Sequence, residues 1–89
     1  MNLKIERTFE RDLRKIKNKT VLKELKKIIE ELEKISHLRE FNGDLKKLRA
    51  GTNFWRIRIG DYRVGLEIEK DTVIFVRILP RKDIYKYFP

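Results

Sequence analysis

The sequence predicts an α+β domain of order β-α-α-β-β-β, with a helical hairpin packed on one face of an antiparallel sheet. Apolar residues recur at helical spacing in the first half and at strand spacing in the second. The two halves do not interleave, which favours segregated α+β over alternating βαβ. The chain has 89 residues with no repeat, no low-complexity segment and no linker. One domain, 1–89, is therefore expected.

Residues 2–6 alternate Leu3 and Ile5 with polar neighbours and read as a first strand that joins the sheet. Thr8 offers an N-cap. Phe9, Leu13 and Ile16 then form one helical stripe that ends near Asn18. Thr20 is the cap expected for a second helix. Its apolar stripe is Val21, Leu22, Leu25, Ile28, Ile29, Leu32 and Ile35, with lysines and glutamates on the other face. The short join makes an αα-hairpin. Residues 36–53 are irregular, with turn signals at Asn42-Gly43 and at Gly51 and Asn53; Leu45 and Leu48 are expected to anchor them. Three strands follow. In 54–59, Trp55, Ile57 and Ile59 alternate with Arg56 and Arg58. Gly60-Asp61 suits a two-residue hairpin loop, because glycine reaches positive φ at the first turn position. Residues 62–69 set Tyr62, Val64, Leu66 and Ile68 against Arg63, Gly65, Glu67 and Glu69. Lys70-Asp71 turns again, and 72–79 is a nearly unbroken apolar strand except for Arg77.

Composition narrows the chemistry. Twenty-three Lys and Arg against 14 Asp and Glu leave a net charge of +9. Such a balance points first to nucleic acid and second to an anionic membrane. The high Lys and Glu content, the single Met and the lack of Gln also suit a protein from a thermophile. Without cysteine there is no disulfide, no thiol nucleophile and no Cys-based zinc site. With one histidine, His37, there is no multi-histidine metal centre. No metal and no cofactor is expected. No apolar run is long enough to span a bilayer, and the N-terminus lacks the apolar segment of a secretory signal. A soluble, cytoplasmic protein is the expectation. Asp12, Glu24, Glu30, Glu31 and Glu33 read as solvated helix charge, and His37 as a surface residue after the second helix.

The alternation carries a sharper signal. Arg56 and Arg58 share a face, and Arg63 falls on the same face across the tight hairpin. Arg77 has the parity opposite to Ile74, Val76 and Ile78, so it joins them, and Arg81 leaves the last strand. Clustered guanidiniums repel unless an anion joins them, and their planar forks match phosphate oxygens. The bland alternative is a solvated basic face with Glu67 and Glu69 as partial partners. Gly65 on this face permits a close approach by a ligand or backbone, or else marks a bulge. The tail, 81–89, interleaves Lys82 and Lys86 with Tyr85, Tyr87 and Phe88. Such a pattern can stack bases and neutralise phosphates. It can equally pin Ile84 and Phe88 to the core.

WRIRIGDYRVGLEI (55–68), followed by IFVRILPRKDIYKYFP (74–89), resembles the RelE/ParE superfamily of type II toxins, nearest its RelE branch. The likeness extends to KIERTFERDLRKI and DLKKLRAGTNFWRIR and so spans nearly the whole chain. The resemblance implies a ribosome-dependent endoribonuclease that cuts mRNA in the A site without a metal and is restrained by a cognate antitoxin. It implies catalytic roles for Arg56 and Arg58 on RNA and the scissile phosphate, and for Arg63 on the charged transition state. Arg81 would act at the leaving oxygen and Tyr85 in activating the 2′-hydroxyl. Lys46, Lys47, Arg77, Lys82 and Lys86 are the expected RNA contacts. Many relatives carry histidine before the post-strand arginine, where this chain has Pro80. Two alternatives stay open: a ParE-like inhibitor of DNA gyrase, and a non-catalytic relative that only binds RNA or antitoxin.

Overall fold

The computed structural model describes residues 1–89. Its sheet has five strands in the spatial order β1-β5-β4-β3-β2. These are β1 Asn2–Ile5, β2 Leu45–Lys47, β3 Phe54–Ile59, β4 Tyr62–Glu69 and β5 Thr72–Pro80. The helices are α1 Arg7–Arg14, α2 Lys19–Lys34 and α3 Arg81–Tyr87. The expected α+β architecture is present, and the hairpin of α1 and α2 covers one face. Phe9, Val21, Leu25, Ile28 and Leu32 meet Ile57, Ile59, Val64, Leu66, Val73, Phe75 and Ile78 in one buried cluster. The Phe9 and Phe75 rings meet edge to face at 5.3 Å. No helix is long and apolar enough to cross a membrane.

Several local expectations are corrected. Asn18, not Thr20, caps α2: its side-chain oxygen accepts from the N–H groups of Thr20 and Val21 at 2.9 and 3.2 Å. Helix α1 starts one residue before Thr8, whose hydroxyl instead donates to the Val76 carbonyl at 2.6 Å. Strand β1 pairs with β5 in parallel, so the sheet is mixed. Hairpin logic fixes the direction of consecutive strands only, and β1 reaches β5 from the far end of the sequence. Two elements are additional. Residues read as irregular supply the short edge strand β2, and the tail forms α3. At Gly60 the φ of +56° fits the expected turn.

The register of β5 also differs. Leu66 faces Phe75 and Gly65 faces Arg77, so Val76 is an extra, bulged residue. The bulge reverses the alternation. Val73 and Phe75 join the main cluster before it and Ile78 after it. The single face expected for Ile74, Val76 and Ile78 does not form.

Asp12 is not solvated. Only 4% of it is exposed, and its carboxylate completes the edge of β5 beyond the end of β1. It accepts from the Ile78 N–H at 3.1 Å and from Arg77 Nε and Nη2 at 2.7 and 3.0 Å. A single sequence cannot flag this, because Asp12 sits between Phe9 and Leu13 on an ordinary amphipathic helix.

The second face of the sheet positions the candidate site. Ile74, Ile84 and Phe88 are buried there, outside the main cluster. Gly65 makes room for them: a Cβ at that position would lie 2.7 Å from the Phe88 ring. Phe88 also meets Phe54 edge to face at 5.5 Å. The Arg81 N–H donates to the Asp61 carbonyl at 2.7 Å, tying the start of α3 to the β3–β4 turn. Helix α3 is therefore held over the arginine-bearing strands at both ends.

Candidate functional site

Residues directly opposite in an antiparallel pair share a face. Arg58 lies opposite Arg63, and Arg56 lies opposite Gly65, which faces Arg77 on the next strand. Lys46 lies opposite Arg56 and so joins this face. Lys47 lies opposite Trp55 on the other face, with its Nζ 5.7 Å from the ring centre. Arg81 and Tyr85 are one helical turn apart on α3. With Asp61, Pro80 and Lys82 they line an open concavity of about 570 Å³. Tyr85 is 60% exposed there. Lys82 and Lys86 are exposed on α3, and Lys86 Nζ lies 3.9 Å from an Asp83 oxygen.

Arg63 is the unusual member. It is 7% exposed, and its Nη1 donates only to neutral acceptors, the carbonyls of Gly60 and Tyr62 at 2.8 and 2.9 Å. No carboxylate pairs with Arg58, Arg63 or Arg81. Burial, then Arg58, Arg56 and Arg81, hold the Arg63 guanidinium below its usual range, and Tyr85 acts in the opposite sense. A buried guanidinium keeps its proton at any ordinary pH. Like charges facing each other across a strand pair destabilise the sheet. The arrangement is a concentrated positive field with room for an anion.

Arg77 is committed elsewhere. Its fork is taken by Asp12, which pushes its guanidinium above the usual range, and its Cζ lies 5.5 Å from the Tyr87 ring centre. It ties α1, β5 and α3 together beside the cluster. Glu67 and Glu69, the partial partners of the alternative reading, form no ion pair. One carboxylate that sequence reasoning missed does reach the cluster. Asp44 Oδ1 accepts from Arg56 Nη1 at 2.9 Å, and the Asp44 carbonyl accepts from the same nitrogen at 3.2 Å. The Arg58 N–H also donates to that carbonyl, so Asp44 prolongs the β2–β3 ladder by one residue. His37 is exposed and flanks a short 3₁₀ turn, Leu38–Glu40, where Glu40 accepts from the N–H groups of Ser36 and His37.

Comparison with known proteins agrees with this architecture. Residues 3–85 match the family profile of the ParE toxin of the type II toxin–antitoxin system parDE. Over 89 residues, the full length of both chains, the protein is 42% identical to toxin RelE3 of Methanocaldococcus jannaschii. A chain of the RelB–RelE antitoxin–toxin complex of Methanococcus jannaschii superposes with a TM-score of 0.82 at 41% identity, over 97% of this chain and 99% of that one. A chain of the archaeal RelE–RelB complex of Pyrococcus horikoshii OT3 gives 0.71 at 25% identity, over 90% and 93%. These matches agree on one class, the toxins of type II toxin–antitoxin systems. The chain belongs to the RelE/ParE superfamily of those toxins.

Proposed function

We propose that this toxin is an endoribonuclease that cuts mRNA in the ribosomal A site, and that an antitoxin restrains it. The observation that carries the reading is Arg63, a buried guanidinium with no anionic partner, facing Arg58 and close to Arg56, Arg81 and Tyr85. A phosphodiester supplies the missing anion. Its charge rises when a 2′-hydroxyl attacks the neighbouring phosphorus, because the non-bridging oxygens of the phosphorane gain electron density. Fixed guanidiniums stabilise that state without reorganising.

In the proposed reaction Tyr85 acts in its phenolate form, and its oxygen takes the 2′-hydroxyl proton to become the neutral hydroxyl. The 2′-oxygen bonds to phosphorus, and the bond from phosphorus to the 5′-oxygen breaks. The products are a 2′,3′-cyclic phosphate and a 5′-hydroxyl, whose proton comes from water. Arg56, Arg58 and Arg63 face the non-bridging oxygens. Arg81 stabilises the leaving oxygen by its charge, since a guanidinium is too weak an acid to give up a proton efficiently. The positive charge that a metal would supply in other nucleases comes here from guanidiniums. Lys46, Lys82 and Lys86 would hold the flanking backbone, while Arg77 would act by holding α3 in place.

The RelB-bound relatives support an antitoxin partner, which here would present acidic residues to the basic face. A cell-free translation reaction tests the reading. The purified protein should arrest it, the combination Arg63→Ala with Arg81→Ala should not, and arrest by that double variant would discard this site. The ParE family profile keeps a gyrase reading in play; inhibition of supercoiling by the protein, with translation untouched, would establish it instead.

A further inference from the structure

Asp44 is the one carboxylate bound to the arginine cluster, and nothing in the proposed reaction uses it. It bonds Arg56 through its side chain and its carbonyl. It feels Arg56 first, then Arg58 and Arg63, and these hold its carboxyl below the usual carboxylate range. Yet its side chain is 52% exposed, while that of Arg56 is 14% exposed. The carboxylate can therefore swing into water, and the arginine beneath it stays in the sheet.

The bond leaves Arg56 poorly served. Both acceptors fall on Nη1, and the Arg56 Nε is buried with no partner at all. A guanidinium fork is best matched by two oxygens on one group. Asp12 provides such a match to Arg77 through Nε and Nη2. Asp44 does not provide it to Arg56. A phosphate can take a second position of the fork, and it would meet the negative Asp44 side chain as it arrived.

We propose that Asp44 is an internal counter-ion that occupies Arg56 in the empty site and competes there with the substrate phosphate. This deepens the proposed nuclease reading and rests on it. Asp44 offsets repulsion among Arg56, Arg58 and Arg63 while no RNA is present, and it weakens RNA binding by the same contact. Removing its charge while keeping its shape should tighten binding and loosen the empty protein. An exposed ion pair of this kind, together with the like-charge contact relieved, corresponds to about a three- to tenfold change in affinity.

The test is equilibrium binding of a fluorescent RNA hexamer with 2′-O-methyl riboses, which cannot be cut because the attacking hydroxyl is blocked. Asp44→Asn should bind it about three- to tenfold more tightly than wild type. Glu24→Gln, an equal charge change on the exposed side of α2, should change binding less than twofold if simple Coulomb screening applies at that distance. In an Arg56→Gln background, Asp44→Asn should have no further effect, because the competition acts through Arg56. Thermal melting of each variant confirms that it is folded, and Asp44→Ser serves as a second substitution should Asp44→Asn melt below the assay temperature. Weaker binding by Asp44→Asn would overturn the proposal and make Asp44 a residue that positions Arg56. Equal tightening by Asp44→Asn and Glu24→Gln would overturn it in favour of net charge alone. Binding that ignores Arg58→Ala and Arg63→Ala would remove the phosphate site itself, and the proposal with it.

Discussion

Replacing Gly65 with alanine tests how the fold builds its second face. The backbone there is ordinary extended strand, so alanine meets no conformational penalty. The destabilising part of the effect comes from the added methyl, which would lie 2.7 Å from two carbons of the Phe88 ring and 2.9 Å from a third, against a small gain of about 0.4–1 kcal/mol from a stiffer unfolded chain. Two responses are open. The ring can shift within its pocket, an overpacking cost of about 1–3 kcal/mol. Alternatively α3 can lift off, exposing Ile84 and Phe88, each contributing about 1.5–3 kcal/mol of burial. The smaller cost prevails, so the loss should be about 1–3 kcal/mol. For a domain of this size that lowers Tm by roughly 5–20 °C. Thermal and urea denaturation of wild type and Gly65→Ala measure it, and limited proteolysis reports whether the α3 segment has loosened. The matched control is Phe88→Ala, which removes the three ring carbons nearest the added methyl, so Gly65→Ala should cost little or nothing further there. An unchanged Tm in Gly65→Ala, or an equal loss in the Phe88→Ala background, would refute the account of why residue 65 is glycine.

Other expectations follow from the same contacts. Asp12→Asn should cost about 2–4 kcal/mol, because it leaves Arg77 without its bidentate partner, a loss somewhat softened by the partial exposure of Arg77; urea midpoints measure it. Inorganic phosphate at about twenty times its Kd should stabilise the wild type by about 2 kcal/mol, or roughly 10 °C, beyond chloride at equal ionic strength. That gain should vanish when Arg58 and Arg63 are both alanine, and a gain that persists would place the anion elsewhere. Asp44 and Glu40 both sit below the ordinary carboxylate range, the first through Arg56 and the second through the N–H groups of His37 and Ser36. Each therefore adds stability that is fully present above about pH 4, the unfolded value, and is lost as the pH falls through the lowered folded value. Tm should stay level from neutral pH to about pH 5 and fall below pH 4, with a shallower fall in Asp44→Asn.

What could be read from the sequence was whatever obeys a period. The 3.6-residue stripe of α2 and the alternation of β3 and β4 identified the core and set Arg56, Arg58 and Arg63 on one face. What could not be read depends on contacts between distant residues. Strand β2 has three residues and no alternation long enough to notice; its pairing to β3 defines it. That Ile84 and Phe88 pin the tail was one of its two readings; that the tail does so as a seven-residue helix, α3, with Phe88 just past its end, was not legible in so short a segment. A bulge was one of the two readings that Gly65 offered, and it lies opposite that residue at Val76, but which β5 residues it sends into the core could not be read. Asp12 and Asp44 were invisible for the same reason, since their partners lie 65 and 12 residues away. Arg77 does share the face of Arg56, but the parity argument that put it there fails at the bulge, which sets Ile74 on the same face, and its charge is taken by Asp12. A list of basic residues therefore overstates the free positive field, and pairing must be known before charges are assigned to a ligand.

The proposed function requires that the arginine cluster and Tyr85 cut mRNA on the ribosome. The direct measurement is a primer-extension map of a defined mRNA on purified, programmed ribosomes, with wild type and Tyr85→Phe side by side. Cuts within the A-site codon, ending in a 2′,3′-cyclic phosphate and lowered at least about a hundredfold by the substitution, are the predicted result for loss of a general base. Intact mRNA with folded wild-type protein would contradict the claim, as would cuts at unchanged rate in the phenylalanine variant.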